Sequence, residues 1–319
     1  MNKNLWIVGT GTMAREYAKV LNALGREFTA VGRSQKNADN FTEATGAPAI
    51  AGGINKVLSD EKNVPERAIV AVNVDQLSAV VTDLMKAGVR KILVEKPGFC
   101  NPDELDTILS ISKETASQVA IAYNRRFYAS VLAAEKIISN DGGLRSMHFE
   151  FTEWERSVTA FNRPREIFEN WFYANSTHVV DLAFFMAGSP VEMTSLVAGK
   201  LEWHTPAIFT GTGKTSHDVL FSYCANWNAP GRWGVELLTP LHRLYLKPME
   251  QLQIQELYSV KTEPVAIDDS LDRDFKPGLY RQTEAFLADD FSRLCTLAEQ
   301  SSHVKTIYKS IVNGGTTIG

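Results

Sequence analysis

The chain is poor in cysteine, has little net charge and contains no long apolar run, and each shortage removes a class of function. Its three cysteines, Cys100, Cys224 and Cys295, lie far apart. None has the CxxC or cysteine–histidine spacing that a zinc site needs, so no metal site is expected and the thiols read as reduced, as in a cytoplasmic protein. A net charge of -4 with no clustered basic stretch gives no electrostatic footprint for nucleic acid or for an anionic membrane. No segment approaches the ~20 apolar residues of a membrane span, glycines interrupt the N-terminal apolar stretch at once, and there is no internal repeat or low-complexity tract. Small molecules remain as the expected partners. The 319 residues suffice for two domains, each with its own core.

What is present begins with a strand, Leu5 to Val8, running straight into Gly9-Thr10-Gly11-Thr12-Met13-Ala14 and then into a helix with apolar positions at Ala14, Tyr17 or Ala18, Leu21 and Leu24, closed by Gly25. Strand, glycine turn and helix are the context that a GxGxxA dinucleotide fingerprint requires. Gly9 makes the tight turn, Gly11 lets the backbone approach a pyrophosphate, and Ala14 lets helix and strand pack closely. The anion is then expected on the free amides of the helix N-terminus. After the second strand, Phe28 to Val31, the chain reads Gly32-Arg33-Ser34-Gln35-Lys36. An acid here would hold the ribose 2'-hydroxyl of NAD. Instead Arg33, Ser34 and Lys36 offer donors to a 2'-phosphate, which favours NADP, with NAD kept as the alternative.

Ala68 to Val72 and Lys91 to Glu95 are further apolar runs read as strands buried on both faces, separated by a helix from Gln76 to Ala87. A helix from Pro102 to Ala116 and a strand from Gln118 to Ala122 complete an α/β pattern of short alternating elements, which predicts a doubly wound parallel sheet over residues 1–123. Ligands of such sheets sit beyond the carboxyl ends of the strands, so Asn73 and Glu95-Lys96-Pro97 are expected at the cofactor. Pro97 stops the strand and fixes the exit angle of Lys96. Burial and a positive nicotinamide ring would lower the pKa of this lysine, and Glu95 would oppose them.

From about Asn124 the pattern changes to longer strands of period two, such as Met147, Phe149 and Phe151 alternating with polar residues. Strands are expected over 191–201, 218–227, 232–239, 241–246 and 252–260. The turn at Ala229-Pro230-Gly231 suggests that its flanking strands are antiparallel neighbours. Residues 124–319 are therefore expected to form an α+β domain with a large, open, mostly antiparallel sheet. A helix from Ser176 to Ala187, capped by Asn175 or Ser176, would place His178 in its first turn, where the dipole favours the neutral ring, and Asp181 on the same face to orient it. Trp154, Arg156, Arg163, Arg165, Trp171, Phe172 and Tyr173 crowd the segment before it, a combination suited to a sugar ring or an anionic substrate. Two last helices, 278–298 and 302–312, read as packing elements.

With its ordered motifs Gly9 to Ala14, Glu95-Lys96-Pro97, Tyr123-Asn124-Arg125-Arg126-Phe127 and His178-Val179-Val180-Asp181, the chain resembles the family of glucose-fructose oxidoreductase, inositol dehydrogenase and the MocA protein. The resemblance implies an N-terminal Rossmann domain and a second domain whose open sheet carries the substrate pocket and often the oligomer contact, hence a homodimer or homotetramer. It also implies that Lys96 and Pro97 belong to the active site, with a cis peptide between them. Hydride transfer between nicotinamide and a sugar-like or related hydroxy or carbonyl compound follows, with sugars and nucleotide-sugars as the expected substrates, Lys96 as acid/base and His178 bonding the reacting oxygen. Lys96, Tyr123, Arg125, Arg126, Asn175, His178 and Asp181 are expected at the substrate. One departure stands out. Many dehydrogenases of the family carry an aspartate four residues before the histidine, and this chain has Ala174. The rival readings are a non-catalytic NADP-binding sensor or partner subunit, and an enzyme that keeps its cofactor bound for net hydrolysis or isomerisation.

Overall fold

The computed structural model describes residues 5–59, 64–160 and 162–318. Two compact units emerge, one made of Met1–Asn124 with Arg273–Ser301, the other of Arg125–Asp272 with Ser302–Gly319.

The first unit is built on a parallel sheet of β1 (Leu5–Val8), β2 (Thr29–Val31), β3 (Ala49–Ile50), β4 (Arg67–Val70), β5 (Lys91–Glu95) and β6 (Gln118–Ala122). In space the strands run β6-β5-β4-β1-β2-β3, with a short antiparallel edge strand, Cys295–Thr296, beside β6. The order reverses at β1, whose neighbours are β2 on one side and β4 on the other. All four residues of β1 are buried, as are Ile92, Leu93 and Val94 of β5, because helices cover both faces of the sheet. Each such side chain contributes about 1.5–3 kcal/mol by leaving water. The helices are α1 (Thr12–Ala23), α2 (Gln35–Thr45), α3 (Gly53–Leu58), α4 (Leu77–Lys86) and α5 (Glu104–Thr115). The apolar spacing anticipated for α1 is the one buried, through Ala14, Tyr17, Ala18, Val20 and Leu21.

The single helix expected over 278–298 does not form. The helix Leu279–Leu287 stops, and Asp289 takes a left-handed φ of 61° before the chain turns into the edge strand. The stop is fixed by charge: Asp289 accepts from both guanidinium ends of Arg67 at 2.7 and 2.8 Å and lies 2.6 Å from the Lys91 ammonium. These hydrogen bonds hold the Asp289 carboxyl well below the usual carboxylate range.

The second unit carries a nine-stranded, mostly antiparallel sheet. Its strands are β7 (Ser146–Glu150), β8 (Pro190–Ala198), β9 (Ile208–Thr215), β10 (Leu220–Asn226), β11 (Gly234–Leu238), β12 (His242–Leu246), β13 (Gln253–Glu256), β14 (Thr262–Pro264) and a last strand, Gly315–Ile318. They run β14-β13-β12-β11-β7-β10-β9-β8 and end at the last strand. The expected pairing across Ala229-Pro230-Gly231 is corrected here. β10 and β11 are not neighbours, because β7 lies between them, parallel to β10 and antiparallel to β11. This puts Phe149 of β7 opposite Tyr223 of β10 and opposite Val235 of β11, in the middle of a buried aromatic face.

β9 escapes the period-two reading because it carries Gly211 and Gly213. A Cβ at Gly211 would lie 2.5 Å from the Tyr223 ring, and one at Gly213 would lie 2.0 Å from the Glu192 carbonyl and 2.7 Å from the Phe221 ring. Glycine is needed there so that rings on β10 can lie over the neighbouring strand. Below the sheet, the helix Thr177–Ala187 buries Val179, Val180, Leu182, Ala183 and Phe184. No helix among the described residues is long and apolar enough to cross a membrane.

One buried ion pair anchors that helix. Asp181 accepts from Arg126 Nε at 2.8 Å and Nη2 at 2.5 Å, with the two side chains at 0% and 2% exposure. The guanidinium also stacks over Phe185 at 4.6 Å. Removing one partner leaves a charge without its counter-ion in the interior, so Arg126→Met is expected to destabilise the fold by about 3–5 kcal/mol. The double variant Arg126→Met, Asp181→Leu should recover most of that loss in urea denaturation. Equal destabilisation by the single and double variants would contradict this account.

Candidate functional site

The residues expected at the cofactor all lie in the first unit, in the segments that follow four adjacent parallel strands. Gly9 to Ala14 follow β1, Arg33, Ser34 and Lys36 follow β2, Asn73 follows β4, and Glu95, Lys96 and Pro97 end or follow β5. This is the switch point of the sheet, where loops diverge and a ligand finds room.

At the first turn, Gly9 has φ 127°, and a Cβ there would sit 2.2 Å from the Ala71 carbonyl oxygen. β1 and β4 therefore approach too closely for any side chain. Gly11 differs, because its φ is -82° and a Cβ would meet nothing within 4 Å. It is the N-cap of α1, a twelve-residue helix, and supplies no side-chain cap to its first amides. An uncapped helix start beside an unobstructed glycine fits a pyrophosphate, which would accept from those amides. At the second turn Arg33 and Lys36 are exposed. The Ser34 hydroxyl accepts from Asn37 N at 3.3 Å as the cap of α2. Asn73 is exposed, and its carbonyl accepts from Gln76 N at 2.9 Å.

At the end of β5 the Lys96–Pro97 peptide is cis. Three side chains fix this corner. Tyr17 of α1 donates its hydroxyl proton to Glu95 Oε1 at 2.8 Å. Gln300 donates to the Pro97 carbonyl at 2.9 Å and to the Tyr123 hydroxyl at 3.1 Å. Gln282, with its amide oriented so that both ends are satisfied, accepts from Tyr123 N at 3.2 Å and Asn124 N at 3.0 Å, while its other end lies 3.5 Å from the Tyr17 hydroxyl. Desolvation raises the Glu95 carboxyl above its ordinary value, against the opposing pull of the Tyr17 hydrogen bond and the charges of Lys96 and Lys276. Burial, the Glu95 charge and the same hydrogen bond push Tyr17 well up.

The remaining site residues belong to the second unit. The structure corrects the expected start of the histidine helix. Ser176 has helical φ and ψ of -68° and -23° and makes no side-chain cap, because a π-helical turn, Phe172–Ser176, runs directly into Thr177–Ala187. His178 is therefore not at a free N-terminus, and the dipole argument for its neutral form lapses, since that effect is confined to the first turn. Asp181 does not orient the histidine either, as Arg126 occupies both its oxygens, and His303 Nδ1 lies 3.7 Å away. Ala174 is buried at 4% exposure, and Tyr123 of the first unit at 1%.

What surrounds His178 was not visible in the linear sequence. Glu153, 2% exposed, accepts from Ser176 Oγ at 2.7 Å and from the Asn175 amide at 3.1 and 3.2 Å. A buried carboxylate thus grips the π-helical turn at the two residues that follow Ala174. The His178 ring, 8% exposed, lies 6.0 Å from the Trp233 ring. Arg125 and Arg232 both lie over Trp233, at 4.7 and 4.5 Å. Of the aromatic and basic residues expected in this region, Trp154 stacks under Arg232 and donates to the Gly231 carbonyl, and Arg163 lies over Trp171. Arg165 makes an exposed ion pair with Glu169.

Comparison with known proteins fits this geometry. Residues 3–123 match the model of the oxidoreductase family with an NAD-binding Rossmann fold, the family that the motifs resemble. A search of curated proteins finds no match. Among solved structures, a levoglucosan dehydrogenase in complex with NADH is 15% identical with a TM-score of 0.77, over 98% of this chain and 96% of that one. An oxidoreductase from Agrobacterium radiobacter in complex with NAD+, L-tartaric acid and magnesium is 13% identical with a TM-score of 0.76, over 100% and 98%. A UDP-N-acetylglucosamine 3-dehydrogenase from Acidithiobacillus ferrooxidans is 15% identical with a TM-score of 0.72, over 97% and 96%. At these identities the likeness shows a shared fold.

Two predictions follow from the first unit. Gly9→Ala should lower the melting temperature, because backbone must move, whereas Gly11→Ala should melt like the parent and yet weaken reduced-nicotinamide binding, read by fluorescence. Equal effects on both properties in the two variants would refute the assignment of separate roles. For Glu95, a carboxyl raised above its unfolded value contributes stability that is fully present below the unfolded pKa and lost as pH rises through the raised one. Glu95→Gln should therefore stabilise the protein more at pH 8 than at pH 5, and a pH-independent shift in melting would contradict the sign.

Proposed function

We propose that this chain is a nicotinamide-dependent oxidoreductase acting on a CH–OH group of a sugar-like or related small substrate, with NADP favoured over NAD. The observation that carries the reading is the uncapped start of α1 beside the unobstructed Gly11, at the switch point of the sheet. Gly9 to Ala14 would hold the pyrophosphate, and Asn73, Glu95, Lys96 and Pro97 would line the far side of the cofactor. Arg33 and Lys36, exposed after β2 with no acid between them, would receive a 2'-phosphate, with the Ser34 hydroxyl divided between that phosphate and its capping bond. Of the solved neighbours named above, the levoglucosan dehydrogenase is in complex with NADH, the Agrobacterium radiobacter oxidoreductase is in complex with NAD+ and L-tartaric acid, and the third is a UDP-N-acetylglucosamine 3-dehydrogenase, which supports the reaction class.

The bound nicotinamide would supply the hydride chemistry. Lys96 Nζ would hold or release the proton of the reacting oxygen, with its backbone fixed by the cis-proline corner and its charge balanced by Glu95, itself held by Tyr17. His178 would hydrogen-bond the substrate oxygen, and Asn175 a neighbouring hydroxyl. Arg126, Asp181 and Tyr123 would act from behind, as the buried scaffold of these groups. A homodimer or homotetramer through the solvent face of the nine-stranded sheet, where Leu196 and Leu220 are exposed at 66% and 59%, belongs to the same reading.

Ala174 favours a second reading, a cofactor-binding protein without turnover. One experiment separates the two. Against a panel of sugars, sugar acids and nucleotide sugars, the parent should reduce NADP+ or NAD+, and Lys96→Met should lose at least ~10³-fold in turnover while binding reduced cofactor normally. Saturable cofactor binding without turnover by the parent would favour the second reading. Unchanged turnover by Lys96→Met would remove the lysine from the mechanism.

A further inference from the structure

The surroundings of His178 carry an imbalance of charge and of hydrogen bonds that points to a substrate class. Trp233, 7% exposed, meets two guanidinium groups, with Arg125 at 4.7 Å and Arg232 at 4.5 Å from its ring. The two arginines are not equivalent. Arg232 is balanced, since its Nη1 lies 3.6 Å from the buried Glu153 carboxylate and its face also covers Trp154 at 4.7 Å. Arg125 meets only rings, those of Trp233 and of Tyr128 at 5.8 Å, and no carboxylate among the described residues. Its Nε and the Trp233 Nε1 are both buried donors without an acceptor among the described residues. A buried N–H left unsatisfied is costly, and costlier when it is part of a cation.

We infer that Arg125 and the indole N–H of Trp233 form an anion-holding subsite beside His178, so that the substrate is a hydroxy compound carrying a carboxylate or a phosphate. The inference rests on the reading of the second unit as the substrate-binding one, and it narrows that reading from sugar-like compounds to anionic ones. A carboxylate or phosphate oxygen would supply both missing acceptors and the missing negative charge, whereas a neutral hydroxyl would supply only an acceptor. Contact with the Trp233 ring restrains the Arg125 side chain, so less rotamer freedom is lost when an anion binds. The Glu153 carboxylate balances Arg232 and so keeps the second cation from competing for the same anion.

The test is a titration of the full chain labelled with ¹⁵N at the tryptophan indoles, with the Trp233 signal identified by its loss in Trp233→Phe. Three probes of similar size are added in turn: glucuronate, glucose 6-phosphate and glucose. The Trp233 indole signal should shift saturably with at least one anion and stay in place with glucose, and the responding probe tells carboxylate from phosphate. Arg125→Met should weaken that binding about tenfold or more, and Arg125→Lys should restore part of it, while the other indole signals report that each variant is folded. A Trp233 signal that neither anion moves, that glucose moves equally, or that responds unchanged in Arg125→Met would overturn the inference. Cofactor binding is measured separately on the same samples. Failure of cofactor binding with an intact anion response would sink the oxidoreductase reading and leave the subsite, and the reverse pattern would do the opposite.

Discussion

The hydrogen bond from Tyr17 to Glu95 is the constraint on which the first unit's site depends. It ties α1, the helix whose first amides would face the pyrophosphate, to the last residue of β5, next to Lys96. Gln282 and Gln300, both from the segment that returns to this unit late in the chain, close the same corner by gripping Tyr123, Asn124 and the Pro97 carbonyl. The glycine turn and the lysine are therefore parts of one hydrogen-bonded frame. Desolvation of Glu95 opposes the frame and the Tyr17 hydroxyl offsets part of that opposition, which leaves a carboxyl poised above its ordinary range beside the proposed acid/base.

The second unit uses buried carboxylates differently. Asp181 is fully engaged by Arg126 and fixes the helix that carries His178. Glu153 reaches from the segment after β7 to hold Asn175 and Ser176, and so sets the π-helical turn that aims this helix. Irregular turns of this type occur often at functional sites because they re-aim a side chain at modest cost. Ala174 leaves the turn without a carboxylate of its own, and Glu153 supplies one from elsewhere in the chain.

Much of the first unit was legible in the sequence because its signals are local. A strand, a glycine turn and a helix follow one another within twenty residues, and doubly buried strands betray themselves as apolar runs. The second unit was harder to read wherever distant pairing decides structure. β9 hides behind Gly211 and Gly213, whose purpose is visible only once Tyr223 and Phe221 lie over them. The insertion of β7 between β10 and β11 joins strands about 70 to 90 residues apart, beyond the reach of turn chemistry. The break after Leu287 depends on Arg67 and Lys91, two hundred residues upstream. In the same way His178 and Asn175 were singled out by the helix pattern and the family motif, whereas Glu153, Arg232 and Trp233, which the structure brings to the same region, belong to no recognisable motif. Asp181 was assigned to the histidine because a helix places residues i and i+3 on one face, and Arg126 proved the stronger claimant.

The account stands on a dinucleotide held by its pyrophosphate at the start of α1. Phosphorus NMR of NADPH and of NADH, each titrated with the purified chain, tests this most directly. The account predicts that both pyrophosphate resonances shift saturably for whichever cofactor binds, and that the 2'-phosphate resonance of NADPH shifts with them if Arg33 and Lys36 receive it. Pyrophosphate resonances that stay at their free positions with either nucleotide, at protein in excess, would contradict it.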